Sequence, residues 1–275
     1  MLSRHHPHPR DARIRFYEET HTYTLYDEQG HPIPWKPISV TTLIHQFFSP
    51  FDPDVIIGRM MQSRRWPQSI YYGMTPEEIK AKWQQGNQLG TLLHNTAEYF
   101  YNGSVTSPAQ VDPQIRKEFV FFLQFVVDFQ KRNPGWRPYR TEQFVFDEEY
   151  RVAGAIDMMF INEEGQIWIV DWKRSRQIRF NNPYQSGSAP LAHLEDCNFN
   201  TYCLQLNLYR WILQRNYGQR VVKMDLLILH PDNDNYVPIS VPLLEDEIDS
   251  IMEVRWHQVQ QLVQESLLDL RTMAN

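Results

Sequence analysis

The spacing of hydrophobic and polar residues changes several times along the 275-residue chain, and each change marks the boundary of a predicted element. Short apolar segments rich in β-branched residues predict strands, whereas apolar residues that recur every three or four positions predict helices. In the central and C-terminal parts, strands are predicted near residues 138–147, 151–161, 166–173, 221–230 and 236–241. Helices are predicted there over residues 112–133, 200–216 and 244–270. The order helix, three strands, helix, strand predicts an α/β fold with a mixed sheet flanked by helices.

The N-terminal part has its own turn and capping signals. The predicted elements are a short hairpin over residues 13–26 and helices over 39–51, 75–83 and 88–101. Thr75 and Glu78 form a capping box with Pro76 at the first helical position, and Pro50 and Pro53 stop the preceding helix. We expect the histidines near the N-terminus in a disordered tail rather than at a metal site.

A hairpin within the predicted sheet places two acidic residues opposite each other. Residues 163–165, Glu-Glu-Gly, are typical of a three-residue loop closed by glycine in the left-handed conformation. In the resulting register Asp157 faces Asp171, and Ala155 faces Lys173. All four side chains lie on one face because side chains alternate along a strand.

Two opposed carboxylates repel each other, so the pairing needs an explanation. Opposed Cβ atoms lie about 5 Å apart, and two unit charges about 4 Å apart repel by roughly 4 kcal/mol at an effective dielectric of about 20. Either one carboxyl is protonated or a cation lies between them. Lys173 supplies one charge, whereas Mg²⁺ or Mn²⁺ supplies two and prefers oxygen ligands. The alternative is that these are ordinary strand-end residues, but their small and apolar neighbours favour a metal site.

Two predicted helices each carry a pair of polar residues on one face. His94 and Glu98 are four residues apart, and so are Gln205 and Tyr209. Each pair has two possible explanations. In the structural one, its polar groups are hydrogen-bonded within the fold or exposed at the surface; in the other, they have a function. In the functional interpretation His94 is a further metal ligand, and Gln205 and Tyr209 hold a phosphate or a lysine.

Charge and cysteine content limit the function classes. The formal net charge of -6 argues against a surface that attracts polyanions everywhere, although a local basic groove is compatible with it. Arg174, Arg176 and Arg179 lie at the start of a polar stretch over residues 175–199, for which we expect either a substrate-facing loop or disorder. No run of about 18 apolar residues predicts a membrane span, and no secretory segment is expected. The two cysteines fit a reducing compartment and exclude a four-cysteine zinc or Fe–S site.

The polar motifs together resemble those of a known family. The motifs are Gly90-x-x-x-His94, Gly154-x-x-Asp157, Asp171-x-Lys173 and Gln205-x-x-x-Tyr209. Their order and approximate spacing resemble RecB-type nucleases of the PD-(D/E)XK superfamily over roughly residues 86–230. The N-terminal segment is similar to that of small single-domain viral, phage and mitochondrial genome-maintenance exonucleases. The chain departs from the superfamily pattern at Ile156, where a proline is usual, and it lacks the four cysteines of the Fe–S members.

The resemblance implies a restriction-endonuclease-like mixed sheet flanked by helices, with the core order αβββαβ. It implies one nuclease domain over residues 1–275, with an N-terminal hairpin and helical extension over 1–85 and a catalytic core over 86–230. The implied activity is that of a metal-dependent DNA nuclease, foremost an exonuclease in DNA repair, recombination or replication. The alternatives are an RNA endonuclease of the cap-snatching type and a catalytically inactive nucleic-acid-binding module.

The resemblance also implies roles for individual residues. His94, Asp157, Asp171 and the Trp172 carbonyl would bind Mg²⁺ or Mn²⁺, with no Fe–S cluster. Lys173 would orient or deprotonate the attacking water, supported by Gln205 and Tyr209. The residues expected to bind substrate are Arg174, Arg176, Arg179 and Glu98. The expected partner is DNA that is single-stranded or has free ends, with replication or repair proteins as further partners, in the cytoplasm, the nucleus or the mitochondrion. No membrane partner is expected, and the oligomeric state is open.

Overall fold

The computed structural model describes residues 1–273. Within that range the strands are β1 (Ile14–Tyr17), β2 (Thr22–Leu25), β3 (Ile38–Ser39), β4 (Trp136–Asp147), β5 (Val152–Asn162), β6 (Ile167–Lys173), β7 (Val221–Ile228) and β8 (Val237–Ser240). The helices are α1 (Leu2–His5), α2 (Val40–His45), α3 (Pro53–Gln62), α4 (Pro76–Tyr101), α5 (Arg116–Arg132), α6 (Asn198–Asn216) and α7 (Glu245–Met273). Every one of these described helices is too short or too polar for a membrane span.

The main sheet is mixed, as predicted. Strands β4, β5 and β6 pair antiparallel in succession, β7 lies parallel to β6, and β8 pairs antiparallel to β7 at the edge. The parallel step from β6 to β7 contains α6, because parallel neighbours need a long crossover connection. With α5 before β4, the core order is αβββαβ. The protein therefore has a restriction-endonuclease-like α/β fold, while β1 and β2 form a separate hairpin.

Helices cover both faces of this sheet. On one face, α2, α6 and α7 contribute Val40, Leu208 and Ile251 to a common core. On the other face, α4 and α5 contribute Leu93 and Phe122 to a second core that is rich in aromatic residues. Strand β6 lies between the two cores and alternates between them, which fixes the direction of each of its side chains.

The predicted hairpin register is confirmed, but the ladder is shorter than predicted. Gly165 has φ +75°, and Met159 pairs with Ile169 as expected. The ladder between β5 and β6 ends at Met158 and Val170, so the predicted backbone pairs of Asp157 with Asp171 and of Ala155 with Lys173 do not form. On the same edge, the start of β5 pairs with β3 at Val152 and Ala153. Residues 154–157 of β5 thus lie in a gap between two partner strands.

Several N-terminal predictions need correction. The two helices predicted over 75–83 and 88–101 are one continuous helix, α4, since the single Gly86 costs a helix only about 1 kcal/mol. Helix α3 was not predicted, because Pro53 was interpreted as a stop signal. Pro53 instead occupies the first turn of α3, and the Asp52 carboxylate caps the Asp54 and Val55 N–H groups.

The N-terminal segment is not the disordered tail that was expected. Residues 9–13 form a 3-10 turn capped by the His8 side chain. Arg140 on β4 donates hydrogen bonds to the His6 carbonyl at 2.5 Å and to Asp11 at 2.9 Å. The segment is therefore fixed against β4. The stretch 175–199 is likewise an ordered loop, folded around the buried Leu191.

Candidate active site

The candidate site lies where β5 and β6 separate. The first residue beyond the ladder is Asp157 on β5 and Asp171 on β6, and both are buried. The Trp172 N–H donates to Asp157 Oδ2 at 2.8 Å, so this carboxylate replaces a strand carbonyl as acceptor. Burial, together with the neighbouring Asp157 charge, raises the pKa of Asp171 to about 6. The charges of the two aspartates therefore interact, as expected from the predicted register in which these residues face each other.

Trp172 anchors this end of β6 in the aromatic core. Its indole packs edge-on against Phe122 and Phe125 of α5, with ring centroids 5.4 Å and 5.8 Å away. Because the ring faces the second core, alternation directs Asp171 and Lys173 to the opposite face of β6. The predicted role of the Trp172 carbonyl as a metal ligand stays a prediction.

His94 approaches Asp157 from α4. Its Nδ1 lies 3.3 Å from Asp157 Oδ2, and the neighbouring Leu93 is fully buried in the second core. Burial lowers the pKa of His94, but the Asp157 carboxylate outweighs burial and raises that pKa to about 9. Burial acts in the opposite direction on Asp157, whose pKa is nevertheless lowered by His94 and Lys173. In the absence of a metal these two residues form an ion pair.

Glu142 on β4 joins this pair and was missed in the sequence. Ligand atoms of His94, Glu142 and Asp157 all lie within 4.8 Å of one another. Glu142 has φ +45°, although its neighbours Thr141 and Gln143 pair regularly with β5. Burial and the Asp157 charge raise the pKa of Glu142 to about 8. The register of β4 on β5 places Glu142 opposite Asp157, but a pattern of alternating residues does not predict a left-handed backbone at a glutamate.

Lys173 lies at the end of β6 within a chain of polar contacts. Its Nζ is 2.7 Å from Asp171 Oδ2 and donates to Gln205 Oε1 at 3.2 Å. Gln205 Nε2 in turn donates to the Tyr209 hydroxyl at 3.0 Å. The ammonium also lies 4.6 Å from the centroid of the Tyr202 ring. Burial lowers the pKa of Lys173, but the Asp171 and Asp157 carboxylates together outweigh burial and raise that pKa, so Lys173 is charged.

Tyr202, like Glu142, was missed, although a signal was present. Residues 202, 205 and 209 share one face of α6 by their spacing of three and four. The predicted association of Gln205 and Tyr209 with Lys173 has a direct counterpart in these contacts.

Gly154 allows α6 to approach β5 closely. A Cβ atom at this position would lie 2.6 Å from Tyr209 Cε1 and 3.3 Å from Val40 Cγ2. Because real Cβ atoms do not tolerate such a contact, only glycine lets the Tyr209 ring lie against the strand. Gly154 and Asp157 therefore contribute to the site from the same strand: Gly154 allows the contact with α6, and Asp157 supplies a carboxylate.

A divalent cation fits this set of side chains. Asp171 Oδ2 pairs with Lys173 Nζ at 2.7 Å, whereas Asp171 Oδ1 is buried without a hydrogen-bond partner among the described residues. With His94 neutral, as a metal ligand must be, Glu142, Asp157 and Asp171 together with Lys173 leave two negative charges. Imidazole and carboxylate donors suit divalent metals. Asp171 lies outside the three-residue group of His94, Glu142 and Asp157, so it stays a predicted ligand.

The residues predicted to bind substrate have different surroundings. Glu98 lines the cleft beside His94, and burial raises its pKa. Arg174 is largely buried and its Nε lies 2.9 Å from Glu118 Oε1. Arg176 is exposed and pairs with Asp232 at 3.0 Å, and the Arg179 N–H donates to the Asn198 side chain. Arg174 is thus committed to an internal ion pair, whereas Arg176 and Arg179 lie at the surface.

Comparison with known families identifies the superfamily of the chain. A sequence model of the PD-(D/E)XK nuclease superfamily matches residues 119–273, more than half of the chain. The chain belongs to the PD-(D/E)XK nuclease superfamily. The match includes Asp157, Asp171 and Lys173 but begins after His94. Nucleases of this superfamily hydrolyse phosphodiester bonds and use divalent metals.

Solved structures show distant likenesses. A candidate exonuclease from Eubacterium rectale shares 10% sequence identity with a TM-score of 0.40, over 64% of this chain and 66% of that protein. The protein SSO0001 shares 18% identity with a TM-score of 0.26, over 61% of this chain and 71% of that protein. The chain thus spans just under two thirds of the length of the first of these proteins. No curated protein sequence matches the chain.

Proposed function

We propose that this PD-(D/E)XK nuclease is a metal-dependent deoxyribonuclease that acts as an exonuclease. The observation that carries the proposal is the buried charge cluster at the gap between β5 and β6. Three carboxylates, an imidazole and an ammonium converge there, and among the described residues Lys173 is the only cation paired with the buried Asp171. Such a site has a strong affinity for a doubly charged ion, because uncompensated buried carboxylates are costly.

His94, Glu142 and Asp157 would hold Mg²⁺ or Mn²⁺, with Asp171 as a further ligand. When bound, such a metal lowers the pKa of water and stabilises negative charge that develops on a phosphate. Glu142 and Asp157 fix one side of the site, because they lie on the paired neighbouring strands β4 and β5. Asp171 faces both the cluster and Lys173 and therefore connects the metal ligands to the lysine.

Lys173 would orient the attacking water and stabilise charge on the phosphate. Its ammonium is held on three sides by Asp171, Gln205 and the Tyr202 ring. Because its pKa is raised, Lys173 acts as a cation and hydrogen-bond donor rather than as a base at neutral pH. Tyr209 fixes the orientation of the Gln205 amide, so that its oxygen faces Lys173.

The proposed substrate is DNA that is single-stranded or has free ends, in repair, recombination or replication inside the cell. A cleft of about 780 Å³ leads to His94 and Glu142, a volume suited to a few nucleotides of one strand. The exposed Arg176 and Arg179 beside Lys173 would contact backbone phosphates.

Cleavage assays test this proposal directly. Purified protein is incubated with end-labelled linear, end-blocked linear and circular DNA, and with RNA of the same sequence, in Mg²⁺, Mn²⁺ or EDTA. We expect metal-dependent cleavage of linear DNA from its ends, with circular DNA and RNA resistant. Asp171→Asn and Lys173→Ala should reduce the rate by at least about 100-fold, the scale of one lost catalytic group.

Asp225 and Lys223 provide a matched control. They lie two residues apart on the adjacent strand β7, with Nζ 3.6 Å from Oδ2, but they line a different cavity. Asp225→Asn should leave cleavage within about twofold of wild type. Cleavage that survives in EDTA or in the Asp171→Asn protein would reject the proposed site, and cleavage of RNA alone would favour an RNA endonuclease.

A further inference from the structure

We propose that the β1–β2 hairpin forms an aromatic wall that stacks against unpaired bases of the strand entering the site, so that the enzyme takes single-stranded or frayed DNA ends. This inference rests on the proposed nuclease function. The aromatic wall consists of Phe16, Tyr23 and Phe144, with His21 at its rim. Phe16, His21 and Tyr23 precede residues 119–273 that match the superfamily, whereas Phe144 lies within them.

The aromatic wall and the charge cluster line the same cleft. Phe16, His21 and Tyr23 of the hairpin line it, and so do His94 and Glu142. Phe144 follows Glu142 by two residues on β4 and also lines the cleft. A strand bound in this cleft would therefore be able to contact both the rings and the charge cluster.

The rings form one connected surface. The centroid of Phe16 lies 4.8 Å from that of Tyr23 and 6.1 Å from that of Phe144, and Tyr23 meets Phe144 edge-on at 6.1 Å. His21 extends this surface, with its ring 5.8 Å from Phe16. Tyr23 is buried and supports the wall from behind, whereas Phe16 and Phe144 are half-buried and His21 is exposed, so their rings leave area for a partner. Every base has a π-face, which is why aromatic surfaces of this kind bind single strands without sequence preference.

The charges of the cleft favour bases over phosphates at this wall. Among the described lining residues the only arginine or lysine is Arg140, which is buried and bonded to Asp11 and the His6 carbonyl. Glu18 and Glu98 add negative charge to the cleft. A phosphate facing the wall would be repelled, whereas an uncharged base would not. The strand is thereby oriented with its bases toward the hairpin.

The hairpin is held in place before any substrate binds. Arg13 donates to the Tyr26 carbonyl and pairs with Glu148, and Arg10 donates to the Phe146 carbonyl. The guanidinium of Arg10 also stacks 3.8 Å from the centroid of the Phe146 ring. Stacking on this fixed wall needs a free base face, and the paired and stacked bases inside a duplex do not offer one. A duplex end would have to unpair to enter.

Single-turnover cleavage of chemically modified ends tests the inference. Wild-type protein is given single-stranded DNA with ordinary nucleotides, the same strand with abasic units at its terminal three positions, and a blunt duplex. We expect the ordinary strand to be cleaved about tenfold faster than the abasic strand, as the loss of base stacking predicts. The blunt duplex should be cleaved more slowly than the ordinary strand. Because these comparisons use wild-type protein alone, misfolding of a variant cannot affect them.

Variants then assign the preference to the wall. Phe16→Leu, which keeps an apolar side chain, should remove the preference for ordinary over abasic ends, and Phe16→Tyr should restore it. Tyr17→Leu is the matched control, because Tyr17 is the next residue on β1 and does not line the cleft. Thermal melts confirm that each variant is folded. Equal rates on ordinary and abasic ends in wild type would overturn the proposed role of the wall in base stacking. So would an unchanged preference in folded Phe16→Leu. Absence of all cleavage would instead reject the nuclease function.

Discussion

At the scale of single residues, Glu142 decides how the site behaves without metal. Burial and the nearby Asp157 charge raise its pKa to about 8 from an ordinary value of 4.5. The folded protein therefore holds a proton that the unfolded chain releases at lower pH. Since the folded state binds more protons, stability decreases as pH rises from about 4.5 to about 8, and the penalty is complete above pH 8. A bound cation would remove this penalty by pairing with the carboxylate.

Glu142→Gln should therefore stabilise the metal-free protein in a pH-dependent way. In EDTA, we expect the difference in Tm between Glu142→Gln and wild type to be near zero at pH 4.5 and to grow up to pH 8. At pH 8 it should reach a few degrees, on the order of 1 kcal/mol. Calorimetric melts at pH 5, 7 and 9 measure this difference. Adding Mn²⁺ should then raise the Tm of wild type more than that of the variant.

Glu164→Gln is the control for this measurement, because Glu164 is exposed in the hairpin loop. It should show no pH-dependent difference from wild type. A Glu142→Gln protein that melts like wild type at every pH in EDTA would contradict the assigned burial of the carboxylate charge.

Substitution of Gly154 is expected to affect both stability and cleavage. Gly154→Ala places a Cβ 2.6 Å from the Tyr209 ring, and overpacking of this kind costs about 1–3 kcal/mol. We expect the Tm to fall by several degrees and the cleavage rate to fall further, because the displaced Tyr209 no longer orients Gln205 toward Lys173. Melting and cleavage measured on the same protein test both effects.

Gly58→Ala is the opposite case and serves as the control. Gly58 lies inside α3, and a Cβ there meets no atom within 4 Å. Since alanine is favoured over glycine inside a helix by about 1 kcal/mol, this variant should be slightly more stable and equally active. A Gly154→Ala protein as stable as Gly58→Ala would show that α6 does not need the close approach.

At the scale of elements, local signals predicted most of the core and missed features that depend on tertiary contacts. The loop ending at Gly165 set the register of β5 and β6 correctly, because turn geometry fixes pairing close to the turn. The end of that ladder was not predictable, since it depends on the Asp157 carboxylate accepting the Trp172 N–H. Likewise α4 runs through Gly86, because packing of its other residues overrides a single unfavourable propensity.

The candidate site likewise contains residues that local sequence patterns predicted and residues that they missed. His94, Asp157, Asp171, Lys173, Gln205 and Tyr209 lie on elements with clear patterns, and the structure brings them into one site. Glu142 was missed because its direction follows from a left-handed backbone within a strand, which no periodicity encodes. The N-terminal segment was missed because its order depends on Arg140, more than a hundred residues away.

The buried ion pair between Arg174 and Glu118 holds two elements of the fold together. It ties the end of β6 to the first turns of α5, and Glu118 is almost fully buried. Arg174→Ala would leave the Glu118 charge buried and unpaired, which costs about 3 kcal/mol. We expect the Tm to fall by roughly 6 °C or more. The Glu118→Gln/Arg174→Met double variant should recover most of the loss, and thermal melts of the set measure it.

Arg176→Ala is the matched control for Arg174→Ala. Arg176 pairs with Asp232, but both side chains are more than half exposed, and surface pairs contribute about 0–1 kcal/mol. Its Tm should change by a degree or two at most. Equal destabilisation by the two arginine variants would argue that Arg174 is not an internal structural residue.

At the scale of the whole molecule, the distribution of charge determines how the proposed DNA substrate would approach. The protein carries a net charge of -6, and the cleft itself is acidic, so long-range attraction to DNA is weak. Affinity then depends on a few exposed cations near Lys173. With Arg174 committed to Glu118, Arg176 and Arg179 are the members of the predicted basic loop that remain available to phosphates.

Salt dependence of binding tests this distribution. Each phosphate contact to a single strand contributes about 0.7 to the slope of log affinity against log salt. The Arg176→Ala/Arg179→Ala double variant should bind single-stranded DNA more weakly at low salt, with a slope shallower by about 1.4. Lys131→Ala/Arg132→Ala removes the same charge at the end of α5, before β4 begins, and should leave the slope unchanged. If both double variants shift the slope equally, affinity follows net charge rather than local contacts, and the loop after β6 has no special part in binding.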